Sequence, residues 1–148
     1  MTLAGTPIQQ ITTSEDRVLV TADFPNRPPQ ALFDLFTQPD LLVQWWPQQA
    51  ETDVRVGGGY HLAWPDMDWH LRGTYTVVEA PDVLGFTWRW DHTPELPMRD
   101  VTLFITPEGS GSRLLVLHGF YDDTEPDQAD RQGHLDGWLH FLAVLKAL

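Results

Sequence analysis

The chain has 148 residues, enough for one domain with a sizeable core, and no cysteine, which excludes disulfides and thiol chemistry. Its net charge of -12, with only nine scattered Lys and Arg, argues against a nucleic-acid partner or an anionic membrane surface. The first five residues have neither a charged n-region nor an apolar h-region, and no run could span a bilayer, so a cytoplasmic protein is the expectation.

Residues 1–16 are polar and aperiodic up to Ile11 and predict a loose lead-in. Residues 17–24 are rich in β-formers, and alternation sets Val18, Val20, Ala22 and Phe24 on one face. Pro25 and the pair Pro28-Pro29 close that strand and open a helix with Ala31, Leu32, Leu35 and Phe36 on its apolar side. Pro39 starts a second short helix ending at Trp45-Trp46-Pro47, because Pro47 disfavours helix at the residue before it. From Glu51 the period drops to two: residues 52–55 predict a strand, Gly57-Gly58-Gly59 a tight turn and residues 60–64 the returning strand. The glycine triplet is not read as a phosphate loop, since no Lys, Ser, Thr or helix follows it. Further strands are predicted over 69–79, 83–90, 99–106 and 113–120, separated by turn-like breaks.

A helix from Pro126 to Leu148 closes the chain. Leu135, Trp138, Leu139, Leu142, Leu145 and Ala147 form its apolar stripe, with Asp136, His140 and Lys146 towards the other side. Thr124 can cap it, Pro126 suits its first turn, and Asp122, Asp123, Glu125 and Asp127 favour the positive end of its dipole. Such a helix needs a broad apolar surface, and closely spaced strands that must pair antiparallel supply it. The fold class is therefore α+β, a single domain over residues 1–148 with about six to seven antiparallel strands holding a long C-terminal helix.

Phasing each strand gives the face that meets the helix. It holds Tyr60, Leu62 and Trp64; Trp69, Leu71, Gly73, Tyr75 and Val77; Leu84, Phe86, Trp88 and Trp90; Val101, Leu103 and Ile105; and Leu114, Val116, His118 and Phe120. A core built only for packing leans on Leu, Ile and Val, whereas buried indoles and phenols each need a polar partner. Tyr60, Trp64, Trp69, Tyr75, Trp88, Trp90 and His118, closed over by Trp138, therefore make a candidate lining for a small hydrophobic or aromatic ligand. An aromatic-rich packing core is the competing reading. His118 is either a satisfied core residue, the commoner case, or a group that orients a ligand or acts as a general base. Gly133 and Gly137, four apart beside Trp138, leave space between helix and sheet.

Other chemistry finds little footing. No His-Glu-x-x-His occurs, and His134 and His140, six apart, fall on different sides of the helix; no metal or other cofactor is expected. The acidic run from Asp122 to Asp130 lacks the central glycine of a calcium loop and reads as helix-start chemistry.

Several of these pieces, in order, resemble one family. Phe36-Thr37-Gln38-Pro39-Asp40 with Gln44-Trp45-Trp46-Pro47 looks like the helix pair of the bacterial proteins named after the activator of Hsp90 ATPase. Val54-Arg55-Val56-Gly57-Gly58-Gly59-Tyr60 matches that family's Gly-Gly hairpin, and Leu84-Gly85-Phe86-Thr87-Trp88 its leucine-to-tryptophan strand. Ser112-Arg113-Leu114 through His118-Gly119-Phe120 resembles its histidine-ended strand, and Gly137-Trp138 with Leu142 and Leu145 its last helix. Gln38 stands where an acidic residue is usual.

The resemblance covers residues 18–148 and implies the helix-grip fold of the START-like superfamily, a curved sheet wrapped around a long helix with a ligand cavity between them. It leaves three functions in play. The leading one is a non-catalytic binding protein for a small hydrophobic molecule, in sequestration, transport or stress response. The second is a cyclase- or hydrolase-like enzyme with His118 as base and Tyr75 stabilising an enolate. The third is a module that modulates a chaperone ATPase. A homodimer is left open.

Overall fold

The computed structural model describes residues 8–10 and 15–148. Eight strands form one antiparallel sheet: β1 (Gln9–Gln10), β2 (Arg17–Phe24), β3 (Gln49–Thr52), β4 (Gly59–Trp64), β5 (Trp69–Glu79), β6 (Val83–Trp90), β7 (Arg99–Glu108) and β8 (Gly111–Gly119). Their spatial order is β1-β2-β8-β7-β6-β5-β4-β3. Two short helices, α1 (Pro29–Thr37) and α2 (Pro39–Leu42), follow β2, and α3 (Glu125–Lys146) ends the fold. The α+β helix-grip architecture expected from the sequence is the one observed. Within the lead-in, Gln9–Gln10 pairs with Thr21 and Val20 as the extra edge strand, while residues 1–7 and 11–14 lie outside the described part.

The period-two segments become strands because their alternating apolar side chains fill one side. Val18, Val20, Leu71, Leu84, Leu103, Leu114 and Val116 are fully buried there, while Thr74, Thr76, Arg89 and Arg113 face solvent. Helix α3 lays Leu135, Trp138, Leu142 and Leu145 into that side. Thr124 caps it, its side chain accepting from the Asp127 backbone N–H at 3.3 Å.

Local departures from the predicted pattern have physical causes. The strand expected at 52–55 lies instead at Gln49–Thr52, because residues 53–58 form the connecting loop. In that loop the Gly58 N–H bonds the Arg55 carbonyl, and a Cβ on Gly58 would sit 2.0 Å from the Asp53 carbonyl oxygen. A bulge between Tyr75 and Val77 inverts the later phase of β5, so Val78 rather than Val77 packs on the core. Strand β8 stops at Gly119; Phe120 turns out beneath the Arg17 guanidinium, and Tyr121 is buried in its place. In α1 the inward side takes Phe33, and Ala31 is exposed. Helix α2 is only one turn long, and Ala147 falls beyond the end of α3, where it is exposed. Gly73 does sit on the inner face: the Tyr60 ring occupies the space a Cβ would need, at 2.4 Å.

Among the described residues no helix is long and apolar enough to cross a membrane.

Candidate functional site

Between the sheet and α3 lies a cavity of about 140 Å³. Its wall is built from Trp64 on β4, Trp69 on β5, Trp88 and Trp90 on β6, and Trp138 with Phe141 on α3, together with Trp46 from the turn after α2. Six of the seven tryptophans of the chain therefore meet at one place. Gly133 and Gly137 form the part of the helix that borders the cavity, and His134 stands between them. Met67 and Trp69 line it too and are 50% and 41% exposed, so the cavity opens to solvent beside the turn Pro65–Met67.

Trp46 is the keystone of the wall. Its ring stacks on Trp45 at 5.3 Å and on Trp88 at 5.8 Å, and lies 5.4 Å from Trp138. The Trp45 indole N–H, bonded to the Leu35 carbonyl at 2.9 Å, fixes this turn on α1. Trp64 donates its N–H to the Trp46 carbonyl at 3.1 Å.

Behind the indoles runs a buried polar chain. Trp88 and Trp90 both donate N–H to Nε2 of His134, each at 3.2 Å. An indole nitrogen can only donate, so Nε2 of His134 carries no proton and its Nδ1–H faces the Tyr121 hydroxyl at 2.8 Å. By the same logic Trp138 donates to Nδ1 of His118 at 3.0 Å, which places the His118 proton on Nε2, a buried atom with no hydrogen-bond partner. The two imidazoles stack at 4.5 Å with an interplanar angle of 16°. Burial pushes His134 down to about 4, an effect that the Asp130 carboxylate only partly offsets. Burial, then His134 and Arg99, hold His118 well below its ordinary value. Both rings are neutral near pH 7.

The chain ends on Arg99, at the start of β7. Its guanidinium bonds Asp127 at 3.2 Å, Asp130 at 3.0 Å and the Phe120 carbonyl at 2.7 Å, and lies 4.4 Å from the centre of the Tyr121 ring. Burial alone would lower the Arg99 pKa, but the bonds to Asp127 and Asp130 outweigh it and raise it. The bond from Arg99, with the Asp122 backbone N–H, holds the Asp127 carboxyl below its usual range. Asp130 Oδ1 lies 3.5 Å from Nε2 of His134.

Of the candidates named from the sequence, Trp64, Trp69, Trp88, Trp90 and Trp138 line this cavity. Tyr60 and Tyr75 share a separate void of about 10 Å³ with Phe86, and the Tyr60 hydroxyl is committed to the Thr87 carbonyl at 2.6 Å. His118 is wholly buried and is not part of the wall. Sequence reasoning missed Trp46, Met67, His134 and Phe141. A signal for His134 existed: Asp127, Asp130, His134 and Trp138 follow helical three- and four-residue steps on one face. Among the described residues no group of three or more His, Asp or Glu could hold a metal ion.

The sequence profile described as "Activator of Hsp90 ATPase homolog 1-like protein" matches residues 26–148. No curated protein sequence matches the chain. Among solved structures, protein MLL2253 from Mesorhizobium loti is 26% identical over 88% of this chain and 94% of that one, with a TM-score of 0.77. PFC0360w, an HSP90 activator from Plasmodium falciparum, is 18% identical over 89% and 94%, with a TM-score of 0.72. DynU16, from the dynemicin biosynthetic locus, is 20% identical over 89% of this chain and 46% of that one, with a TM-score of 0.76.

Proposed function

We propose that the chain, which belongs to the family of activator of Hsp90 ATPase homolog 1-like proteins, is a binding protein for a small apolar or aromatic molecule held between its sheet and α3. The observation that carries this reading is the indole-walled cavity of about 140 Å³, open at Met67 and Trp69. An apolar protein cavity of about 150 Å³ takes up benzene, so the space suits a single ring or a group of that bulk. Packing alone does not account for six indoles around a void, because a core that minimises voids fills them with aliphatic side chains.

Binding is favoured over catalysis by the state of the one imidazole at the wall. The lone pair of His134 Nε2 is held by two indole donors and is not free to take a substrate proton. His118, the base of the cyclase- or hydrolase-like alternative, is enclosed behind Trp88 and Trp138. Titration with single-ring aromatics should quench tryptophan emission saturably, with micromolar affinity, or about -8 kcal/mol. Lack of saturable quenching across a panel of aromatic and fatty ligands would overturn the proposal.

A further inference from the structure

Resting on the reading of this cavity as a ligand site, we propose that the ligand carries a compact organic cation, a quaternary or tertiary ammonium group, held among the indole rings of the wall. The faces of aromatic rings are negative and their edges positive, so a cage of rings attracts a cation only when faces rather than N–H edges are offered. Here four of the six indole N–H edges are committed. The N–H groups of Trp64, Trp88, Trp90 and Trp138 are bonded to the Trp46 carbonyl, to His134 and to His118. They are therefore unavailable to a carboxylate or carbonyl, and what these rings can still offer a guest is π surface.

The charge around the cage has the matching sign. Among the described residues no Lys or Arg borders the cavity. Behind His134, Arg99 is shared by two carboxylates, Asp127 and Asp130, so this buried trio carries a net negative charge on the far side of the wall. At the mouth, the turn that presents Met67 and Trp69 also carries exposed Asp66 and Asp68. The chain as a whole stands at -12. An anionic guest is opposed at the mouth and from behind His134, a neutral one gains only burial, and a cation gains burial and field together. Size agrees as well, because a trimethylammonium head is about as bulky as the benzene ring that a cavity of this volume accepts.

The test is calorimetric titration of the intact protein with choline and with 3,3-dimethylbutan-1-ol, its uncharged carbon isostere. Choline should bind at least about tenfold more tightly, the discrimination expected of a desolvated cation on indole faces. In Trp69→Leu, which removes an indole at the mouth and leaves the bonded N–H groups of Trp64, Trp88, Trp90 and Trp138 in place, the preference for choline should shrink towards parity. An isostere that binds as well as choline to the parent protein overturns the cation proposal. If choline fails to bind while neutral aromatics still quench saturably, the cation proposal falls and the ligand site stands. If nothing binds, both fall.

Discussion

His118 and His134 stack face to face, yet their bonding predicts opposite consequences for the same substitution. His134→Phe strands the N–H groups of Trp88 and Trp90 and deprives the Tyr121 hydroxyl of its partner. Each orphaned buried donor costs about 1–3 kcal/mol, so the variant should lose about 2–5 kcal/mol. His118→Phe strands one donor, Trp138 N–H, but also removes the buried Nε2 that lacks a partner. The two effects offset, and the net change should stay within about 1.5 kcal/mol. Chemical denaturation of both variants at pH 7.5 measures the difference. Equal losses would mean that ring packing, not the hydrogen-bond chain, sets the worth of these residues. The histidine singled out from the sequence is thus the less critical of the pair. His118 stood out because it breaks an apolar alternation. His134 did not, because a polar residue among helix charges looks solvated until Arg99, far away in the chain, is seen to bring that face indoors.

At the scale of elements, α3 changes character along its length. Its last turns are an ordinary apolar stripe, whereas its first half buries Asp127 and His134 against the sheet. The Thr124 cap, most of the apolar stripe and the limits of β2, β5 and β6 were legible, since each rests on local spacing. The bulge at Tyr75–Val77, the single-turn α2 and the inward course of Trp46 were not, because pairing and stacking with distant residues decide them. Gly133 and Gly137 were legible as an anomaly: glycine costs about 1 kcal/mol relative to alanine in a helix interior. In the fold both border the cavity, and a Cβ at either would meet nothing within 4 Å. Gly137→Ala should therefore raise stability by about 0.5–1 kcal/mol without a clash, while its methyl group narrows the space beside Trp138. Thermal melts should rise and uptake of a single-ring aromatic should weaken severalfold. Raised stability with unchanged uptake would place the bound molecule away from this stretch of helix.

For the whole molecule, acid sets two effects against each other. The net charge of -12 repels itself, so lowering the pH from neutral, by relieving that repulsion, would by itself stabilise the compact state. The buried imidazoles act the other way. In the unfolded chain they take up protons near 6.5, while in the fold His134 does so only at about 4 and His118 well below its ordinary value. Through that window the unfolded state binds more protons than the folded one, so stability falls as the pH falls. The slope is about 1.4 kcal/mol per pH unit for each histidine fully protonated only when unfolded, and His134 alone would contribute a loss of about 3 kcal/mol by pH 4. Asp127, held below its usual range by Arg99, retains its charge through most of this interval and adds its own loss only at lower pH. The buried pair outweighs the surface term, because exposed charges are screened within about 10 Å in ordinary buffer and these rings are not. Melting temperature should therefore drop steadily from about pH 6.5 towards 4 at 0.1 M salt. A profile that stays level or rises across that interval would show that one or both imidazoles take up a proton in the folded state. Such a proton would have to displace the indole donors now bonded to Nε2 of His134 or to Nδ1 of His118.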